Sequence, residues 1–186
     1  MSEGRGPHSA FLTGPEPELP PGLLPSAVLV PLIGEGEGTE LLFTRRSPHL
    51  GAHRGQISFP GGAREEGETF WQAALREARE EIDLAGEDGC LLGRIPAVTI
   101  PVSGFFVVPY VVHFPCRPRI DRVSSEVDAV FFAQLGTLRQ VRVMESYVRG
   151  ARAGSWPVFP LPEGRLWGAS AIMTDALLAA LDDNRT

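Results

Sequence analysis

The sequence predicts an α/β fold of the α+β kind, a mixed β-sheet with helices packed on its faces. Several strand-length segments are rich in Val, Ile and Phe, while only one segment is strongly helical and two others are weaker helix candidates. Strand and helix do not alternate in the regular way a parallel βαβ sheet requires. At 186 residues, with 43% hydrophobic and 22% charged residues, the chain suits one domain with a self-sufficient core.

In chain order, residues 1–25 hold Pro7, Pro15, Pro17, Pro20, Pro21 and Pro25 without a sustained period, which predicts a flexible arm ahead of a domain over 26–186. Residues 27–33 and 40–44 read as strands joined by the turn Gly34-Glu35-Gly36-Glu37-Gly38. A glycine-rich loop over 47–67 leads into a helix over 70–82. Residues 91–95, 105–114 and 127–132 are strand-like, and 135–149 is a weaker helix candidate. A hairpin of 156–159 with 165–167 turns at Glu163-Gly164, and Ser170 is a plausible N-cap for a closing helix to about 181.

Seventeen basic and 23 acidic residues give a net charge of −6, which argues against nucleic acid as a partner. All the lysine-plus-arginine positions are arginine, the cation best shaped for phosphate and carboxylate. The longest apolar stretches fall well short of the roughly 18 residues that read as a membrane span, and the first dozen residues lack a signal-peptide pattern. A soluble cytoplasmic protein, monomer or homodimer, without membrane partners is the expectation. Cys90 and Cys116 make no metal-binding pair and read as small hydrophobes.

The 70–82 helix carries the chemistry. Thr69 and Gln72 form a capping box. At 100° per residue Trp71, Ala74, Leu75, Ala78 and Ile82 gather on a core face, and Glu77, Glu80 and Glu81 share an arc of about 100° opposite it. Three like charges on one arc are destabilising on a helix unless a cation joins them; Mg²⁺ and Mn²⁺ prefer such oxygens. Upstream, Phe59-Pro60-Gly61-Gly62 would let backbone amides approach a phosphate.

Gly62, Glu68, Arg76, Glu77, Glu80 and Glu81 stand at the intervals G-x5-E-x7-R-E-x-x-E-E. This pattern resembles the Nudix box, GX5EX7REUXEEXGU, with Ala78 and Leu84 at the two apolar positions. Asp83 replaces the second glycine, a place where the helix ends and where Asp tolerates a left-handed turn. The preceding stretch, Leu41-Leu42-Phe43-Thr44-Arg45-Arg46-Ser47, then Gly55 and the FPGG, is similar to the coenzyme A pyrophosphatase branch of that family, whose signature is approximately LLTxTR(T/S)x3Rx3Gx3FPGG. His53-Arg54-Gly55-Gln56 resembles its H-x-G-Q. Phe43, Arg45 and Gly51 depart from the signature; Gly51 stands in place of an arginine for which Arg45 or Arg54 would substitute. Glu126-Val127 and Leu166-Trp167-Gly168-Ala169-Ser170-Ala171 resemble later segments of the branch, so the likeness runs over roughly 26–182.

The resemblance implies the Nudix fold, a mixed sheet sandwiched between helices. It implies hydrolysis of a diphosphate, for CoA to 3′,5′-ADP and 4′-phosphopantetheine, using Mg²⁺ or Mn²⁺ held by Glu77, Glu80 and Glu81. Arg76 would orient Glu77, Glu68 would brace loop and helix, and the Gly61–Gly62 turn would help position the metal. Arg45, Arg46, Ser47, His53, Arg54, Gly61 and Gly62 are the expected substrate contacts, and Glu126 is a candidate general base beside the box glutamates. The alternatives are a Nudix pyrophosphatase for ADP-ribose, NADH or a nucleoside triphosphate, and a non-catalytic nucleotide-binding module. Arg139, Arg142, Arg149 and Arg152 read as a solvated row, and Phe105, Phe106 and Trp167 as core.

Overall fold

A computed structural model describes residues 11–49, 54–149 and 152–183. Strands β1 (Leu24–Ile33) and β7 (Phe105–Phe114) run parallel side by side over ten registered pairs, from Leu24↔Phe105 to Ile33↔Phe114. Around them the pairings are antiparallel. β2 (Glu40–Arg46), β3 (Ile57–Ser58), β4 (Gly61–Ala63) and β8 (Val127–Gln134) extend the sheet on one side. β5 (Cys90–Arg94) and β6 (Val98–Ile100) extend it on the other. A second, three-stranded sheet joins β9 (Val143–Arg149), β10 (Arg152–Leu161) and β11 (Gly164–Leu166).

The period of two along β1 divides the core. Val28, Val30 and Leu32 face one hydrophobic cluster, with Met173, Leu177 and Leu178 of helix α3 (Gly168–Asp183). Ala27, Leu29 and Ile33 face the other, with Phe70, Ala74, Ala78 and Ile82 of helix α1 (Phe70–Ile82). The third helix is α2 (Leu135–Val141). Among the described residues the fold is thus a mixed sheet with three α-helices, as expected.

Four local expectations are corrected. The 47–67 loop is broken by β3 and β4, because Gly61–Ala63 pairs with Ser26–Val28 and Ile57–Ser58 with Thr44–Arg45. The 135–149 helix stops at Val141: the β-branched and aromatic run beyond it pairs with β10 from Val143↔Val158 to Arg149↔Arg152. The closing helix starts at Gly168, two residues before Ser170, whose carbonyl accepts the Thr174 hydroxyl at 2.8 Å inside the helix. Finally, the proline-rich lead-in is docked from residue 11: Phe11 is buried, and Leu12 exchanges both backbone hydrogen bonds with Arg94 at 2.8 and 2.9 Å.

Two side-chain expectations also change, and Arg139 and Arg142, though solvent-facing as expected, are paired. Cys90 and Cys116 are free and exposed rather than buried. Trp167 is exposed, while Phe106 is core on the α1 side and Phe105 packs half-buried against the α3-side cluster. Arg139 pairs with Asp182 at 2.7 Å and Arg142 with Asp175, ties that bind α2 to α3. No helix among the described residues is long and apolar enough to cross a membrane.

Candidate active site

The start of α1 satisfies all four of its unpaired amides. Thr69 Oγ1 accepts from the Gln72 amide at 3.1 Å, and the Gln72 side chain accepts from the Thr69 amide at 2.8 Å, which is the expected capping box. The two amides between, on Phe70 and Trp71, donate to the carboxylate of Glu16 at 2.9 Å each. Tyr110 also donates its hydroxyl to Glu16. Burial would raise the Glu16 pKa, but these donors and Arg94 outweigh it and hold the carboxyl below its ordinary value. At the other end Asp83 takes φ 54° and ψ 28°, the left-handed cap, and its amide bonds to Ala78 and Arg79.

Between these ends α1 presents Glu77, Glu80 and Glu81 beside β4. Arg76 is the hub. Its Nε and Nη2 donate to the two oxygens of Glu68 at 2.8 and 3.2 Å, and Nη2 also reaches the Ala63 carbonyl at 2.9 Å. Its Nη1 donates to Glu77 at 3.0 Å and Glu80 at 3.2 Å. This forked guanidinium lowers the Glu68 pKa, and Glu68 in turn raises that of Arg76.

Glu81 lies deepest. Burial, then the neighbouring Glu77 charge, push its pKa up to about 7, although the Gly61 amide at 3.2 Å and the charge of Arg46 oppose this. Glu77 is raised in the same direction, chiefly by burial and against the pull of Arg76, with Glu80 and Glu126 adding repulsion. Gly62 makes room for this: a β-carbon there would sit 2.5 Å from Cδ of Glu77. Among the described residues no three His, Cys, Asp or Glu side chains are already gathered at ligating spacing, and Arg76 supplies the compensating charge. The donor set nonetheless suits a hard divalent cation, being carboxylate oxygens that repel one another in partly buried positions.

The expected residues divide between two places. Arg46 reaches the carboxylates: it pairs with Glu126 at 3.3 Å and its charge is felt by Glu81, while its Nε is buried without a hydrogen-bond partner. Glu126 enters through the Ser47 amide, which donates to its carbonyl at 2.7 Å. Arg45 points to the opposite face of β2, as alternation requires, and is taken up by Asp128 at 2.6 Å and the Glu163 carbonyl at 3.1 Å. The structure therefore does not bring Arg45 to the carboxylates. Arg54 and Ser47 lie on the loop flanking β2 and β3; Gly51 and His53 fall outside the described residues.

Three contributors are invisible to motif reading. Glu16 acts across 54 residues of sequence, in a Pro-rich segment that carries no periodic signal. The Ser26 hydroxyl donates to the Gly62 carbonyl at 2.6 Å, and the Ser124 amide to the Glu81 carbonyl at 2.7 Å. Each depends on a long-range strand or loop placement that local sequence does not encode.

A family profile described as the NUDIX domain matches residues 23–158. The uncharacterised Nudix hydrolase NudL of Pectobacterium atrosepticum is 40% identical over 128 residues, 65% of this chain and 66% of that protein, so the alignment spans just under two thirds of its length. The human protein called mitochondrial coenzyme A diphosphatase NUDT8 is 36% identical over 163 residues, covering 84% of this chain and 69% of that one. Among solved structures, the MutT protein of Methanosarcina mazei superposes with a TM-score of 0.58 at 17% identity, covering 91% of this chain and all of that one. The NUDIX domain of Shewanella oneidensis NrtR, complexed with ADP ribose, gives 0.58 at 16%, with 88% and 89% covered. At such identities the structural matches speak for the fold alone.

Proposed function

The chain belongs to the Nudix hydrolase family, and on that premise we propose that it cleaves the diphosphate of coenzyme A and its derivatives to 3′,5′-ADP and 4′-phosphopantetheine. Pyrophosphohydrolysis is the activity of the family. The CoA reading is supported by the upstream signature through Arg46, Ser47, Gly55 and FPGG, and by 36% identity to a protein named as a CoA diphosphatase.

One observation carries the chemical reading: Glu77 and Glu81 stand partly buried on the α1 face next to the glycine strand β4, where burial raises the pKa of both and the Glu77 charge raises that of Glu81 further. In the proposed mechanism Glu77, Glu80 and Glu81 would hold Mg²⁺ or Mn²⁺. The cation, when bound, neutralises phosphate charge and makes phosphorus more electrophilic. Arg76 keeps Glu77 and Glu80 oriented from one guanidinium, and Glu68 fixes Arg76 in turn. Arg46, with its unpartnered buried Nε, binds a phosphate oxygen of the substrate. Water forms a bond to one phosphorus, the bridging P–O bond breaks, and the departing phosphate leaves as an anion. Glu126, placed at the rim by Arg46, accepts the proton of the attacking water. The substrate is a small molecule, and we place the reaction in the cytoplasm.

The test is a product assay by chromatography and mass spectrometry, with CoA, ADP-ribose, NADH and dGTP run side by side in Mg²⁺ or Mn²⁺. The expected result is fastest cleavage of CoA to 3′,5′-ADP and phosphopantetheine, abolished in Glu81→Gln. Faster cleavage of another substrate would overturn the CoA assignment and leave the hydrolase. No turnover, with Mn²⁺ binding retained, would favour a nucleotide-binding module. For the proton acceptor, Glu126→Gln is expected to lower kcat by about 10²-fold, the ordinary contribution of a general base, without loss of Mn²⁺ binding.

A further inference from the structure

Residues 11–16 form a strap across the sheet edge. Phe11 is buried in the cluster on the α3 face, Leu12 pairs with Arg94 of β5, and Glu16 then reaches α1 on the other face. The Arg94 guanidinium donates to the Pro15 carbonyl at 2.7 Å, holding the strap one residue before Glu16. Trp71 and Tyr110, 5.1 Å apart between ring centroids, flank the same point. Gly93 permits the crossing, since a β-carbon there would lie 2.8 Å from the Leu12 carbonyl oxygen.

We propose that Glu16 is a positioning residue for the carboxylate face of α1, acting through Glu68 and Arg76. The proposal rests on the reading of that face as the metal-binding site. Glu16 holds the amides of Phe70 and Trp71, and Glu68 lies only two residues before Phe70. The Glu68 side chain, which also accepts the Glu65 amide at 3.0 Å, thus springs from the backbone that leads directly into the ordered first turn. Both oxygens of Glu68 grip Arg76, and Arg76 holds Glu77 and Glu80. Loss of the Glu16 carboxylate leaves two helix amides without acceptors, frays residues 69–71 and releases Glu68 from Arg76. The catalytic helix is thus registered by a segment that lies outside the Nudix box.

The experiment is a double-mutant cycle on the full chain with Glu16→Ala, Glu68→Gln and the pair, and with Glu16→Gln as a milder variant should Glu16→Ala fold poorly. Two readouts are taken. The first is the Arg76 Nε–H resonance in metal-free protein, which should broaden or shift in both Glu16→Ala and Glu68→Gln. The second is Mn²⁺ affinity by electron paramagnetic resonance. Each single change should weaken it about fivefold, equivalent to about 1 kcal/mol, and the double variant should lose clearly less than the product of the two. Leu177→Ala, which loosens the α3-side core away from the strap and from α1, should lower Tm and leave both readouts in place. An unmoved Arg76 resonance in Glu16→Ala, or strictly multiplicative losses, would reduce Glu16 to a stability element and overturn the proposal. A wild-type protein that binds no Mn²⁺ would refute the metal reading, while the Arg76 resonance would still decide the role of Glu16.

Discussion

Gly62 and Glu77 compete for one space. The Glu77 carboxylate occupies the position that a side chain on residue 62 would need, with Cδ 2.5 Å from where the β-carbon would stand. The Ser26 hydroxyl fixes the Gly62 carbonyl from the other side, so β4 cannot retreat without losing a hydrogen bond to β1. The glycine is required by the close approach of the Glu77 carboxylate rather than by its backbone angles, which are not in the left-handed region. Gly62→Ala should therefore expel Glu77 from its pairing with Arg76. The expected outcome is a protein destabilised by about 1–3 kcal/mol, as overpacking costs, with activity reduced far beyond that. Urea titration read beside a pyrophosphohydrolase assay separates the two effects.

The two neighbouring arginines of β2 should behave differently. Arg45 is committed to Asp128 and the Glu163 carbonyl on one face, Arg46 to Glu126 and the neighbourhood of Glu81 on the other. Arg45→Ala should change stability by at most about 1 kcal/mol, as partly exposed ion pairs do, with KM unaltered. Arg46→Ala should raise KM about tenfold or more, the size of one lost charged hydrogen bond to a phosphate. Steady-state kinetics on the two variants, with a melting curve for each, is the check.

At the C-terminal end of α1, Asp83 occupies a conformation that suits glycine better, at φ 54°. Its side chain makes no part of the carboxylate arrangement. Asp83→Gly should relieve the left-handed strain while adding chain entropy to the unfolded state, for a net gain of about 0.5 kcal/mol. Tm should rise slightly, and Mn²⁺ binding should be unchanged.

The legibility of this chain follows the range of its interactions. The α1 boundaries, the capping box and the left-handed Asp83 were all readable, because each is decided within four residues. The arc of Glu77, Glu80 and Glu81 follows from helix geometry, and the spacing back to Gly62 carries the family. The β9 strand was misread as helix because Leu135–Val141 is helical and only the pairing of Val143–Arg149 with β10 ends it. Arg45 does not join the site because the alternation of β2 turns residues 45 and 46 to opposite faces, which a match to a linear signature does not show. Glu16 was unreadable for a different reason: its partners Phe70, Trp71 and Tyr110 are brought to it by the sheet edge, and nothing in a Pro-rich segment announces a cap for a distant helix.

The capping carboxylate also gives the fold a defined pH dependence. Glu16 has a folded-state pKa below its ordinary 4.5: burial acts to raise it, but Tyr110, the two helix amides and Arg94 act more strongly to lower it. A carboxyl depressed on folding contributes stability that is fully present above the unfolded pKa and is lost as pH falls through the folded one. Glu16→Gln removes the charge while keeping one oxygen acceptor, so at pH 7 it should cost about 1 kcal/mol, within the range for a helix cap. That difference should hold from neutral pH down to about the unfolded carboxylate range and shrink below it, because wild type and variant then both carry a neutral group at this position. Tyr110 cannot compensate in that window, since burial and its bond to Glu16 raise its own pKa and keep the hydroxyl protonated. Chemical denaturation of both proteins at intervals between neutral and acidic pH measures the convergence. A gap that stays constant to the lowest pH would mean that the charge on Glu16 contributes nothing to the cap.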